Sequence, residues 1–226
     1  MKLFILFYLF KSVSLINSFL EKITNKNILL YFNEYAQSAF YKKKNIANRK
    51  VNFYCPNNII NWRINTFFSK EPNTLRWIKK FKKHKKIIFW DVGSNIGLYS
   101  IYAAIMHKNI NVVSFEPSTS NLRILSRNIY INNLFKKIKI CQLAIAKKNF
   151  CFSQFRESSF LEGHALHSFG STEKKTSFDS NAYTILGMNL NFLVKNKILE
   201  IPDYIKIDVD GIEEKIIEGF DKFLCS

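Results

Sequence analysis

The sequence predicts an α/β protein built on a doubly wound, mostly parallel sheet. Three observations lead there. From residue 87 onward, apolar strand-like runs alternate with helical patterns, as strand-helix-strand crossovers require. The first run, IIFWD at 87–91, is continuously apolar, which suits a strand buried on both faces. It passes directly into VGSNIG and then into a small-residue apolar helix pattern, so the chain bends sharply between two buried elements.

The elements follow in order. Residues 1–50 read as a helical, polar-basic appendage, and residues 51–226 as the main domain. The opening apolar run, Leu3 to Phe10, is by itself too short to span a bilayer, and no clear small-residue cleavage site follows it. A helix packed on the domain or lying on a membrane surface fits that stretch. The expectation is a cytoplasmic protein with peripheral membrane contact through residues 1–20. VNFYCPNNIINWRINTFF, 51–68, reads as short strands broken by a turn at Pro56-Asn57-Asn58. Pro72 opens a helix, as a proline at the first helical position does. Ile87–Asp91 is the first strand of the parallel sheet, and Leu98–His107 the helix after it. Val112–Glu116 is the second strand, Ser118 the cap of a helix to about Asn132, and Ile138–Leu143 the third strand. Residues 149–190 are irregular with weak strand signals. A short helix at Leu190–Lys195, a strand at Tyr204–Asp208 and a helix at Glu213–Leu224 complete the pattern. A doubly wound sheet normally continues beyond that point, so the expectation is a sheet lacking its C-terminal strands.

Composition narrows the function. The 226 residues give room for a real core, and 47% hydrophobic content with 22 Phe excludes a disordered chain. The net charge of +17 would suit an anionic partner, but most lysines are scattered in a composition rich in Lys, Asn, Ile and Phe. Nucleic acid is therefore not the expected partner. The four cysteines form no CxxC pair, so no zinc site is read and no metal is expected.

The chemistry concentrates at strand ends. In DVGSNIG, Gly93 permits a turn that ligand backbone contact requires, and Gly97 allows close packing where the helix begins. The N–H groups of the bend are expected to face a polar ligand. Asp91 stands where a dinucleotide-binding turn has its first glycine, which favours a ligand carrying positive charge over a pyrophosphate. Glu116 ends the second strand at the spacing of a ribose-binding acid, able to accept from both ribose hydroxyls. The small residues of LAIA, 143–146, would let a flat base lie against backbone. Asp208, at the end of YIKID, faces the crevice at the sheet's carboxyl edge. Asp210 and Glu213 follow it; Glu213 suits the first turn of a helix, and a metal role for these two is the weaker alternative.

Taken together, TFFSKEPNTLRWI (66–78), FWDVGSNIGLYSIYAA (89–104), VVSFEPSTSNLRILSRNI (112–129), ALHSFGS (165–171) and PDYIKIDVDGIEEKIIEGF (202–220) resemble the FkbM family of class I S-adenosylmethionine-dependent methyltransferases. The resemblance covers roughly residues 53–224 and implies a Rossmann-like fold with S-adenosylmethionine as methyl donor. By motif it places Asp91, Gly93, Asn95 and Gly97 along the methionine and ribose side. It gives Glu116 the ribose hydroxyls, Pro117 and Asn121 the adenosine pocket, Ala144 the adenine, and Asp208 a place near the transferred methyl. Asp208 and His167 are the candidates for removing an acceptor proton, Ser168 a weaker one for touching the substrate. Family members commonly methylate hydroxyls of sugars or natural products, so a small-molecule or glycan acceptor is expected. The alternatives are an RNA methyltransferase, a nicotinamide-dependent oxidoreductase, and a truncated remnant without catalysis.

Overall fold

A computed structural model of the chain describes residues 2–82, 86–170, 181–209 and 216. It contains two compact units, Met1–Tyr41 and Lys42–Ser226. The helix expected at Glu213–Leu224, with Asp210 and Glu213, lies outside the described residues apart from Ile216, which is helical and buried.

The first unit is a pair of helices, α1 (Lys2–Thr24) and α2 (Ile28–Gln37). Asn27 caps α2 by accepting from the N–H of Leu30, and buried Asn17 of α1 accepts from the N–H of Leu29. The apolar stretch runs well past Phe10. Val13, Leu15, Ile16, Phe19 and Ile23 continue it beyond Lys11, because one lysine does not end an apolar helix. Leu3–Thr24 is therefore, by length and composition, long and apolar enough to cross a membrane, and only 6% of its most apolar window is buried.

The second unit begins with a hairpin where a helix is expected. Strands β1 (Tyr41–Ile46) and β2 (Arg49–Tyr54) pair across Ala47 and Asn48, both in the left-handed region. The run expected as strands after Pro56 is instead a helix, α3 (Asn58–Lys70). Asn57, part of the expected turn, is its cap and accepts from the N–H of Ile60. Ile60, Ile64 and Phe67 recur at helical spacing and are buried. Helix α4 (Pro72–Lys79) opens on its proline as expected.

Among the described residues the main sheet has four parallel strands: β3 (Ile87–Val92), β4 (Ile110–Phe115), β5 (Ile138–Cys141) and β10 (Tyr204–Ile207). Their order is β10-β3-β4-β5, and every pairing is parallel. All six residues of β3 are buried. On one face Phe89 meets Trp77 and Phe81, and Asp91 meets helix α5 (Leu98–Met106). On the other, Ile88, Trp90 and Val92 pack with Leu190 and Leu193 of helix α7 (Leu190–Lys195) and with Ile216. A strand covered on both sides needs the unbroken apolar run seen in its sequence.

Helix α6 (Thr119–Ile131) is capped by Ser118, which accepts from the N–H of Asn121. Its Asn128, and Asn132 at its C-terminal cap, accept from the N–H groups of Tyr54 and Asn52, fixing β2 against the helix. The region expected as irregular forms a second four-stranded sheet of β6 (Ala144–Ile145), β9 (Ala182–Met188), β7 (Phe150–Arg156) and β8 (Ser168–Phe169). Only β6 and β9 are parallel; β7 runs antiparallel to β8 and β9. Its exposed Phe150 and Phe152 interrupt the alternation that would mark a strand buried on one face.

Candidate functional site

Three strands of the main sheet end side by side. Gly93 follows β3, Glu116 follows β4 and Asp208 follows β10, and all three line one cleft at the sheet's carboxyl edge. Ligands of open α/β sheets bind in this position. Asn95, Pro117, Asn121, Ala144 and His167 line the same cleft. Asp91 and Gly97 do not; both stand behind the bend.

Gly93 is required by space as well as by torsion. Its φ is +79°, and a Cβ there would lie 1.9 Å from the carbonyl oxygen of Asp208. Gly97, with φ of +85°, caps α5, and a Cβ on it would lie 2.4 Å from Leu125 of α6. Its packing is thus helix to helix, where helix to strand is expected from the sequence.

Asp91 is fully buried, and burial raises its carboxyl above the usual range, with Lys206 and Ser100 opposing. Its Oδ2 accepts from Ser100 at 2.6 Å, and the Ser100 hydroxyl lies 2.7 Å from that of Ser114. Lys206, Asp91 and Ser114 are register partners on β10, β3 and β4, so they form one polar row across the sheet. Among the described residues, Oδ1 of Asp91 has no hydrogen-bond partner.

Glu116 is also buried. Its Oε2 accepts from the N–H of Asn95 at 2.7 Å and Oε1 from that of Ser118 at 2.9 Å. Burial pushes its carboxyl up to about 7, and these N–H groups offset part of that. A side-chain hydrogen bond from Asn121 adds to them, so the carboxylate is fixed in place and keeps acceptor capacity for a ligand hydroxyl.

Asn95 and Asn121 serve the cleft through a loop. Both side-chain amides donate to the carbonyl of His164, and Asn121 accepts from the N–H of Gly163. Asn57 donates to the carbonyl of Glu162, and Arg63 to that of Gly163. The carbonyls of residues 162–164 are thereby tied to α3, to the bend and to α6. The loop then carries Ala165 and His167 to the cleft wall. The Nδ1 of His167 accepts from the N–H of Ser158 at 3.2 Å, so its neutral ring carries the proton on Nε2. In that tautomer Nε2 donates.

Asp208 is half-exposed, and its Oδ2 is held at 2.8 Å by Nζ of the largely buried Lys206. The Lys206 ammonium also lies 4.7 Å from the centre of the Tyr99 ring. No group of metal-ligating side chains is present among the described residues.

Several lining residues are given no role by the sequence. Phe155 and Phe169 come from the second sheet, and Arg63 and Lys70 from α3. The apolar spacing of Ile60, Ile64 and Phe67 was the signal that could have found α3, and with it Arg63 and Lys70, two turns apart on that helix. Burial of Glu157 was not foreseeable. It sits in the second sheet's connection and accepts from Thr119, Ser120 and Tyr183, fixing the start of α6 next to Pro117.

The cleft fits an adenosyl-sulfonium ligand. Glu116 offers acceptor capacity, Gly93 leaves open backbone where a side chain would collide, and buried acids surround the bend without a pyrophosphate-binding glycine turn. Residues 91–226 match the Methyltransferase FkbM domain. A stretch of 56 residues is 32% identical to Methyltransferase sdnD of Sordaria araneosa, covering 25% of this chain and 22% of that protein. Among solved structures, a SAM-dependent methyltransferase from Agrobacterium tumefaciens aligns with a TM-score of 0.35 and 11% identity, over 46% of this chain and 32% of the other. Precorrin-6y C5,15-methyltransferase from Geobacter metallireducens aligns with a TM-score of 0.28 and 18% identity, over 32% of this chain and 36% of the other.

Proposed function

The chain belongs to the FkbM family of S-adenosylmethionine-dependent methyltransferases, and from that membership we propose that it methylates a hydroxyl oxygen on a sugar or other small or glycan acceptor. The observation that carries the reading is the meeting of Gly93, Glu116 and Asp208 in one cleft at the carboxyl edges of β3, β4 and β10.

Bound S-adenosylmethionine supplies an electrophilic methyl carbon on a sulfonium. The residues of the chain do the rest. Glu116 accepts from the two ribose hydroxyls. Ala144, whose side chain is small, leaves room for a flat base, and Pro117 shapes the same wall. Asn95 and Asn121 hold the loop at 162–164, which brings His167 to the cleft. Methyl transfer to oxygen is an in-line displacement at the methyl carbon, the bond to oxygen forming as the bond to sulfur breaks and the thioether S-adenosylhomocysteine leaves, so positioning dominates the catalysis. A neutral hydroxyl must lose its proton as it attacks, and that requires an acceptor. We assign this to Asp208: Lys206 fixes its Oδ2, and Oδ1 is the oxygen given to the hydroxyl. His167, a donor at Nε2, is assigned to orienting the acceptor oxygen.

The N-terminal helix suggests where the acceptor is met. Its apolar side chains stand exposed from Leu3 to Ile23, and we place residues 1–20 at a membrane surface. The deciding experiment is transfer of radiolabelled methyl from S-adenosylmethionine into cell-extract fractions of glycans, lipids and RNA. Label in alkali-stable ethers of the glycan fraction is expected. Label confined to RNA, with binding that falls steeply as salt rises, would replace this reading.

A further inference from the structure

The N–H groups of the bend between β3 and α5 are spent within the chain. Gly93 and Ser94 both donate to the carbonyl of Phe115, and Asn95 donates to Glu116. Ile96 donates to the Asn95 side chain, and Gly97 to the carbonyl of Ser94. The expectation that these groups face a polar ligand is therefore not met, because the bend closes on itself. Polar contacts in the cleft fall to other groups, His167 among them.

His167 is delivered by a strained loop. Strands β7 and β8 are antiparallel partners, with Phe155 opposite Phe169 and Arg156 opposite Ser168. Carried past Arg156, the same register sets Ser158 opposite Leu166. The ladder stops short of that pair, and Leu166 turns into the left-handed region at a φ of +63°. A leucine pays for that conformation, because its Cβ crowds the following carbonyl and it has no polar atom to bond locally. Burial does not compensate, since the Leu166 side chain is 74% exposed.

Ser158 holds both neighbours of Leu166. Its Oγ donates to the carbonyl of Ala165 at 2.6 Å, and its N–H donates to Nδ1 of His167 at 3.2 Å. Ala165 and His167 both line the cleft. The Phe155 ring lies against the imidazole, 5.6 Å between centroids and tilted by 57°. With a bond on either side of it, the backbone of Leu166 has no freedom to relax.

We propose that Ser158 is a positioning residue for His167, using its hydroxyl to hold Leu166 in the left-handed turn and so to fix the imidazole at the cleft wall with its proton on Nε2. This rests on the reading of His167 as the residue that orients the acceptor oxygen. Removing the Ser158 hydroxyl keeps the N–H bond to the ring but releases the carbonyl of Ala165. Leu166 then relaxes to an extended backbone and carries His167 with it.

The test begins on the parent, with the ring nitrogen-15 resonances of the full chain. His167, one of four histidines, is assigned by its absence from His167→Gln. Neutral His167 is expected as a single tautomer protonated on Nε2, and a proton on Nδ1 would overturn the assignment. Ser158→Ala is expected to mix the tautomers. It should also slow transfer of radiolabelled methyl into the glycan fraction of a cell extract about tenfold, with affinity for S-adenosylhomocysteine held within about threefold. Ser158→Thr keeps the hydroxyl and should match the parent. Leu166→Asn tolerates the left-handed turn, so in that background Ser158→Ala should cost no more than about threefold. Equal losses in the two backgrounds, or a Ser158→Ala variant with the parent's tautomer and turnover, would overturn the assignment. A His167→Gln variant as fast as the parent would remove the reading of His167, and this assignment with it. A slow His167→Gln beside an unaffected Ser158→Ala would remove Ser158 alone.

Discussion

A Cβ on Gly93 would lie 1.9 Å from the carbonyl oxygen of Asp208, so the ends of β3 and β10 approach as closely as backbone permits. That approach brings Asp208 to the cleft. Gly93→Ala meets both a collision with backbone and a left-handed φ of +79°. The expected cost is about 3 kcal/mol or more, seen as a large fall in Tm or as insoluble protein. An alanine variant that melts with the parent would show that the two strand ends are not in contact.

Asp91 makes a separate prediction because it stands behind the cleft. Ser100 is the hydrogen-bond donor to its Oδ2, and Oδ1 has no partner among the described residues. Ser100→Ala leaves a buried carboxyl without its donor, which costs about 2 kcal/mol and lowers Tm by roughly 4–8 °C. Affinity for S-adenosylhomocysteine should hold within about threefold. A large affinity loss at unchanged Tm would move Asp91 from support to direct ligand contact.

Glu116 gives a pH dependence of defined sign. Its folded value of about 7 lies above the ordinary 4.5 because of burial. The stability it contributes is therefore complete below pH 4.5 and lost as pH rises to about 7, on the order of 3 kcal/mol. Ribose hydroxyls donate to the charged form, so cofactor binding below pH 7 should release a proton. Calorimetry of the parent and Glu116→Gln, in buffers of different ionisation enthalpy, reads both effects. A parent and variant with identical pH profiles and no proton release would remove Glu116 from both roles.

Asp208→Asn keeps the shape of the side chain and removes its ability to accept a proton. The expected kcat falls by about 10²–10⁴-fold, with affinity for S-adenosylhomocysteine nearly constant. An unchanged kcat would leave proton removal to another group.

Much of this was legible before the structure, for physical reasons. Strand β3 announces itself because a doubly covered strand needs IIFWDV to be apolar throughout, and Ser118 announces α6 because few residues cap as well. Glu116 and Asp208 were placed by strand ends alone. Asn57 misled: an asparagine that caps a helix looks, residue by residue, like one that makes a turn, so α3 was missed and Arg63 and Lys70 with it. The second sheet was illegible because β7 leaves Phe150 and Phe152 exposed. The roles of Asn95 and Asn121 depend on the carbonyl of His164, a contact across 69 and 43 positions of the chain that no local pattern encodes.

The decisive observation is the affinity of Glu116→Gln for S-adenosylhomocysteine beside that of the parent, at pH 8, where the parent carboxyl is charged. Glutamine keeps the volume and one acceptor but neither the charge nor the second hydroxyl partner. Binding at least tenfold weaker, in a variant that still melts cooperatively, is expected for a carboxylate that holds a ribose at the meeting of β3, β4 and β10. Equal affinities would mean that the adenosyl group, if it binds, sits elsewhere.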